Sequence, residues 1–206
     1  PVPQHAVDPS AMPQQSYGGA VPAPPRQSVS RQLATLVKRN LAVVLADRLL
    51  LGMLVLLPLI LGGLSRVVPG HDGISILEAG GKVGEAQQRL TVLIVAACLM
   101  GTALAIRELV GERPIFKREY AVGLSPGIYF TSKVLVLGTA AFVQGLVVTF
   151  LATVGLPGAD GTAGTFRVAI AIAVLSAVMV VIGLALSALV TSTEQTMPAL
   201  VGLVML

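Results

Sequence analysis

Arg107-Glu108-Leu109-Val110-Gly111-Glu112-Arg113-Pro114-Ile115-Phe116-Lys117-Arg118-Glu119-Tyr120, continued by Ala121-Val122-Gly123-Leu124-Ser125-Pro126-Gly127-Ile128-Tyr129-Phe130-Thr131-Ser132-Lys133, stands between two apolar runs. The flanking runs are long and uncharged enough to cross a bilayer, so this stretch is a loop at one membrane face. It holds five basic residues, Arg107, Arg113, Lys117, Arg118 and Lys133. Lys and Arg beside span ends are retained on the cytoplasmic side, which predicts that face for the loop. Phe116, Tyr120, Tyr129 and Phe130 add four aromatic side chains. A mere connector needs none of this. A loop gripped by a soluble partner, or laid along the membrane surface, does.

Composition agrees with a membrane protein. The chain is 54% apolar and 12% charged, against roughly 25% charged in soluble domains. Lipid takes the place of the core that a soluble chain of this length would have to build. The net charge of +4 comes from residues beside spans, not from a continuous basic stripe, so no nucleic-acid partner is expected. The single Cys98 falls inside an apolar run and offers neither a disulfide framework nor a CxxC metal site. The chain opens at Pro1 without an initiator Met and closes at Leu206 within an apolar run. The expectation is a segment of a longer protein, with no signal peptide at its start.

Residues 1–27 are rich in Pro, Gln, Ser and Gly and poor in large apolar residues. They read as a flexible linker, which cannot bury enough surface to offset its ordering entropy. A disordered tail is the alternative, and the missing Met favours a linker from an upstream domain. The membrane domain then covers 28–206. From Ser28 or Ser30 a helical pattern runs over 28–47, with Leu33, Leu36, Val37, Leu41, Val44 and Leu45 on one face and Arg31, Thr35, Lys38 and Ala42 on the other. This is either an amphipathic surface helix or the first turns of the first span, and Asp47-Arg48 argues for a break.

Spans are predicted over 49–65, 90–106, 134–156 and 168–191, with 197–206 opening a fifth. The first two have 17 residues each, near the lower limit for crossing, and Arg48, Arg66, Arg89 and Arg107 flank them with side chains long enough to snorkel. Pro58 should kink the first. An external loop, 67–88, separates the first two spans, the charged loop 107–133 follows the second, and 157–161 turns between the third and fourth. In this topology ten basic residues lie inside and Arg66, Lys82, Arg89 and Arg167 outside. That bias predicts a multi-pass protein of the cytoplasmic membrane with its N-terminal side in the cytoplasm. The fold class is an all-α polytopic helical bundle.

Small residues suggest how the spans meet. Gly138, Ala141, Gly145, Thr149 and Ala152 share a face of the third, and Ala169, Ala173, Ser176, Ala177, Val180 and Gly183 a face of the fourth. Small faces let membrane helices approach closely, and Gln144 and Thr149 offer interhelical hydrogen bonds. These positions serve packing, with a transport path as the other reading. No acidic residue or His sits at a span centre, so a proton or metal relay finds no support. No GxxxxGK[ST] loop is present, since Gly80-Gly81-Lys82-Val83-Gly84 lacks its spacing and hydroxyl. His5 and His71 stand in loops without ligand partners, and nothing resembles an activated nucleophile. The segment is not expected to be catalytic or to hold a cofactor.

The order of amphipathic helix, two spans, charged loop, two spans and polar turn resembles an ABC-2 type permease, and more closely the transmembrane half of an ABCG-like transporter. The residues that carry the likeness are Glu112 to Tyr120, Gly123-Leu124-Ser125-Pro126 with Tyr129, Leu186-Ser187-Ala188-Leu189 and Ser192-Thr193-Glu194-Gln195-Thr196-Met197-Pro198. The wording is most similar to actinobacterial, mycobacterial-type ABC transporters that join FHA domains, an ATP-binding cassette and this permease. The resemblance implies that 28–47 is a connecting helix and that the 107–133 loop carries a coupling helix seated in the cassette. Carried over by motif, Glu112, Arg113, Phe116, Lys117, Arg118, Glu119 and Tyr120 form the coupling element, with Glu194 on the same side. It also implies a homodimer, contact with membrane lipids, and ATP and Mg bound in the associated cassette. The implied function is ATP-driven export of an amphipathic, lipid- or glycolipid-like substrate.

Pro114 suits the first turn of the coupling helix, and Ser125-Pro126 reads as the N-cap and first residue of the next. Two other functions are compatible with the pattern. A secondary transporter or channel should show intramembrane charges or broken helices near the midplane. A membrane anchor for an upstream signalling domain needs only the spans.

Overall fold

A computed structural model describes residues 28–69, 73–75, 83–106, 108–121, 123–158 and 160–189, together with Pro198 and Gly202. The linker assigned to 1–27, Glu194, and all of 197–206 but those two positions lie outside the described residues. Six helices follow in order: α1 (Val29–Ala46), α2 (Arg48–Val67), α3 (Val83–Ala105), α4 (Glu108–Ala121), α5 (Pro126–Thr153) and α6 (Gly161–Leu189). Among the described residues α2, α3, α5 and α6 are long and apolar enough to cross a membrane.

Local chemistry sets the corners. Asp47 ends α1, its N–H bonding to the Val43 carbonyl at 3.0 Å. Its carboxylate then accepts the N–H groups of Leu49 and Leu50 at 2.9 and 3.1 Å, so the same residue caps α2. At the end of α4, Gly123 has φ +104°. Its N–H reaches the Tyr120 carbonyl while that of Leu124 reaches Glu119. This paired closure leaves the last carbonyls of α4 satisfied and needs a residue tolerant of positive φ. Ser125 in extended backbone and Pro126 then open α5.

The helices overrun the spans predicted from apolarity. α5 starts eight residues before Val134 and α6 seven before Val168, while α3 starts at Val83 instead of Leu90. For α3 and α5 the reason is that hydropathy stops at a charge, whereas a helix continues when the charge has a partner. Lys133, the residue that halted the third span, is buried inside α5. Arg89 is buried in α3, where it donates to the carbonyls of Ser65 and Val68 at 3.1 and 3.0 Å. The coupling helix also departs from expectation. It begins at Glu108, and Pro114 lies inside it, not at its first turn.

α5 and α6 pack against each other most extensively; α3 lies on α6, and α2 and α1 lie against α5. One apolar core, with Leu104, Ala105, Leu137, Ala141, Val180 and Leu184, lies toward the α1 and α4 end. A second, with Leu93, Ala97, Met100, Val148 and Ile172, lies toward the other. Outward apolar side chains such as Val55, Ile60, Leu64, Val143 and Phe150 remain exposed, as a lipid-facing surface requires.

Candidate functional site

Glu108, Glu112, Phe116 and Glu119 follow one another at spacings of four, four and three, which puts them on one face of α4. That face turns into the protein. The Lys133 ammonium sits between two carboxylates, 2.6 Å from Glu108 and 2.7 Å from Glu112. Its side chain is only 2% exposed, so without both partners it would be a buried, uncompensated charge. The other oxygen of Glu112 accepts the Tyr129 hydroxyl. Tyr129 stands one turn before Lys133, with its ring 5.9 Å from the ammonium, and Phe116 packs on the same ring at 5.0 Å between centroids.

Two further contacts hold α4. Glu119 pairs with Arg39 of α1. Next to it on α1, the buried Asn40 amide donates to Ser132 Oγ at 2.9 Å, and that hydroxyl donates to the Tyr129 carbonyl at 2.7 Å. On α6, Ser187 Oγ accepts the N–H groups of Leu109 and Val110 at 3.1 and 3.2 Å. It caps the start of α4 from another helix, supplying the acceptor that first-turn amides lack. Arg113 returns the contact, donating to the Ala188 carbonyl in the last turn of α6 at 2.9 Å.

Residues 31–206 match the ABC-2 type transporter family. The chain belongs to that family. It is also 42% identical over 188 residues to a Mycobacterium tuberculosis protein described as an ABC transporter ATP-binding/permease protein. The match covers 88% of this chain and 22% of that relative, so the chain spans about a fifth of the relative's length. No solved structure matches it.

In this ABC-2 permease domain the residues assigned to coupling fall into two sets. Glu112, Arg113, Phe116 and Glu119 are engaged inside the chain. Lys117, Arg118 and Tyr120 are exposed, as is Ile115, although Tyr120 stacks on Phe116 at 6.0 Å. The sequence alone did not single out Glu108 on α4 or its partners Lys133 and Ser187. The four-residue repeat of Glu108, Glu112 and Phe116 was a usable signal for the inward face. Nothing local pointed to Ser187, which lies 77 residues from Val110.

The packing residues also divide. A Cβ on Gly145 would lie 2.5 Å from Ala173 Cα, and one on Gly183 2.9 Å from Ala105 Cβ. These two glycines permit close helix contact, whereas a Cβ on Gly138 would meet nothing within 4 Å. Gly62, expected with Gly63 only to loosen the end of the first span, and Gly101, not singled out in the sequence, make equally close approaches to α5 and α6. Ala141 and Ser176 are fully buried. The hydroxyls of Thr149 and Ser176 bond within their own helices, to Gly145 and Ile172. Gln144 is the one of this set that crosses between helices, donating to the Leu54 carbonyl of α2 at 2.9 Å. Leu54 is four residues before Pro58, so its carbonyl is the one Pro58 cannot serve.

Proposed function

We propose that this permease domain belongs to an ATP-driven exporter of an amphipathic, lipid- or glycolipid-like substrate. It works as a pair of copies, each driven by an ATP-binding cassette. ATP and Mg bind in the cassette, and hydrolysis there supplies the energy; this chain supplies the moving bundle. The α1 and α4 end faces the cytoplasm, in line with the concentration of Lys and Arg beside its span ends.

One observation carries the reading. α4 is fastened to three helices, by Glu119 to Arg39 on α1, by Glu108 and Glu112 to Lys133 on α5, and by Ser187 and Arg113 to α6. Its opposite side, with Lys117 and Arg118, is open. A cassette pressing on that open side would move α4 as a rigid piece. The motion would pass into α5 and α6 without first breaking a contact. The ATP-binding/permease description of the mycobacterial relative supports a cassette as the partner.

The test uses the intact transporter in proteoliposomes with a fluorescent phospholipid analogue as probe. Lys117→Ala with Arg118→Ala should change stability by no more than about 0.5 kcal/mol, as surface substitutions do. ATP-dependent translocation should fall at least about tenfold, equivalent to 1.4 kcal/mol. Translocation driven by an ion gradient without ATP hydrolysis would sink the ATP-driven reading. Undiminished coupling in the double variant would remove the open side of α4 from the mechanism.

A further inference from the structure

An open apolar groove of ≈ 740 Å³ runs between α1, α2 and α5. Val37 and Leu41 of α1, Val55 and Leu59 of α2, and Val143 and Val147 of α5 form its walls. Two polar side chains reach it, Thr139 and Gln144; each donates a hydrogen bond within the protein, and Gln144 Oε1 is buried without a partner among the described residues. The Thr139 hydroxyl donates to the Leu135 carbonyl at 2.6 Å, and the Gln144 amide to Leu54. The groove therefore offers little to a polar ligand and much to a hydrocarbon.

Its length is informative. On α5 its lining runs from Leu135 to Val147, about 18 Å at 1.5 Å per residue. One leaflet of the hydrocarbon core is about 15 Å deep, half of roughly 30 Å. The groove thus matches the tail of one lipid, entering from the α1 end.

The mouth is charged. Lys38 lies on the polar face of α1, some 60° round from Leu41, where its long side chain can reach the rim, and Arg48 opens α2 two turns before Val55. Both are exposed, and neither is paired with a carboxylate among the described residues. Arg39, the neighbour of Lys38, points elsewhere and is taken by Glu119. Two uncompensated cations above an acyl-sized groove complement an anionic headgroup. A neutral lipid would fill the groove equally well but leave both cations without a counter-charge.

The geometry points to a bound anionic phospholipid at this site, with one acyl chain in the groove and its phosphate at Lys38 and Arg48. Such a lipid would fill the wedge between α1 and α2 beside the Asp47 corner. It would hold α1, and with it the Arg39 contact to α4, against the bundle. The site depends on placement in a membrane and not on what is transported, so its failure would leave the transport reading standing.

Native mass spectrometry of the intact transporter, titrated with phosphatidylglycerol or phosphatidylcholine, tests it. Phosphatidylglycerol should be retained about tenfold more tightly. Lys38→Gln with Arg48→Gln should reduce that preference below twofold while phosphatidylcholine retention stays as it was. Lys38→Arg with Arg48→Lys should keep the preference, which separates lost charge from lost folding. Val143→Trp, at a lipid-facing position, should weaken retention of both lipids by filling the groove. A preference that survives the Gln variants, or retention that survives Val143→Trp, would overturn the proposal. So would photo-crosslinking from position 143 that captures a second copy of the chain in place of a lipid.

Discussion

At the α1 and α4 end, Lys133 meets Glu108 and Glu112, and Arg39 meets Glu119, so side chains are held by side chains. At the opposite end the arginines bind main chain, as Arg113 also does at the first through the Ala188 carbonyl. Arg89 donates to the carbonyls of Ser65 and Val68, while Arg66 donates to those of Leu151, at 2.9 Å, and Val154. The two chemistries allow different things. A carbonyl at a helix end is fixed by the helix, so an arginine bound to it ties two helices in one arrangement. A carboxylate turns on its own side chain and can change partners. The first end can adjust while its ion pairs persist, and the second is tied in one arrangement.

The largest effect expected is at Lys133. Replacing it by Met leaves Glu108 and Glu112 facing each other without a cation, which should cost about 3–5 kcal/mol, measured by thermal unfolding of the purified protein. Adding Glu108→Gln and Glu112→Gln to Lys133→Met should recover a large part of that loss. Without recovery, the charge balance is not what holds this end. Arg89→Met should cost about 2 kcal/mol, within the range for hydrogen bonds made by charged groups. ATP-driven transport per folded molecule should remain unchanged, and a loss of coupling in Arg89→Met would erase the contrast between the ends.

Between the ends the helices must transmit motion without sliding, and Gly145 probes this. Gly145→Ala should cost about 1–3 kcal/mol by overpacking against Ala173, while Gly138→Ala should stay within about 0.5 kcal/mol. Equal effects at the two positions would mean that α5 and α6 are less tightly joined than their geometry indicates. A smaller stability effect than at Gly145 is expected at Glu119, whose pair with Arg39 is partly exposed. Glu119→Ala should cost less than about 1 kcal/mol yet lower ATP-dependent transport severalfold in reconstituted liposomes. Normal transport in that variant would leave the α1–α4 contact a surface pair and nothing more.

The corners of this fold were legible because their causes are local. Asp47 beside Arg48, and Gly123 followed by Ser125-Pro126, carry their backbone consequences within a few residues. The small-residue stripes identified the helix faces but not the depth of contact, which depends on the partner helix; Gly138 and Gly145 look alike in sequence and differ in space. Lys133 was read as a topological charge because its partners lie 21 and 25 residues away on a helix, beyond a closed turn. Pro114 was placed at a helix start on its usual preference. The start is set instead by Ser187, whose hydroxyl serves the first-turn amides from a distant segment, and the helix then runs through the proline.

Pro58 and Gln144 complete each other across two helices. The proline opens a gap in the ladder of α2, and the amide of α5 closes it at the Leu54 carbonyl. Neither residue explains itself alone, since without Pro58 the carbonyl would be served by its own helix and without Gln144 it would be left empty. The two positions are therefore one unit spread over two helices. An ordinary residue at 58 would make the amide at 144 dispensable, whereas the proline makes it needed.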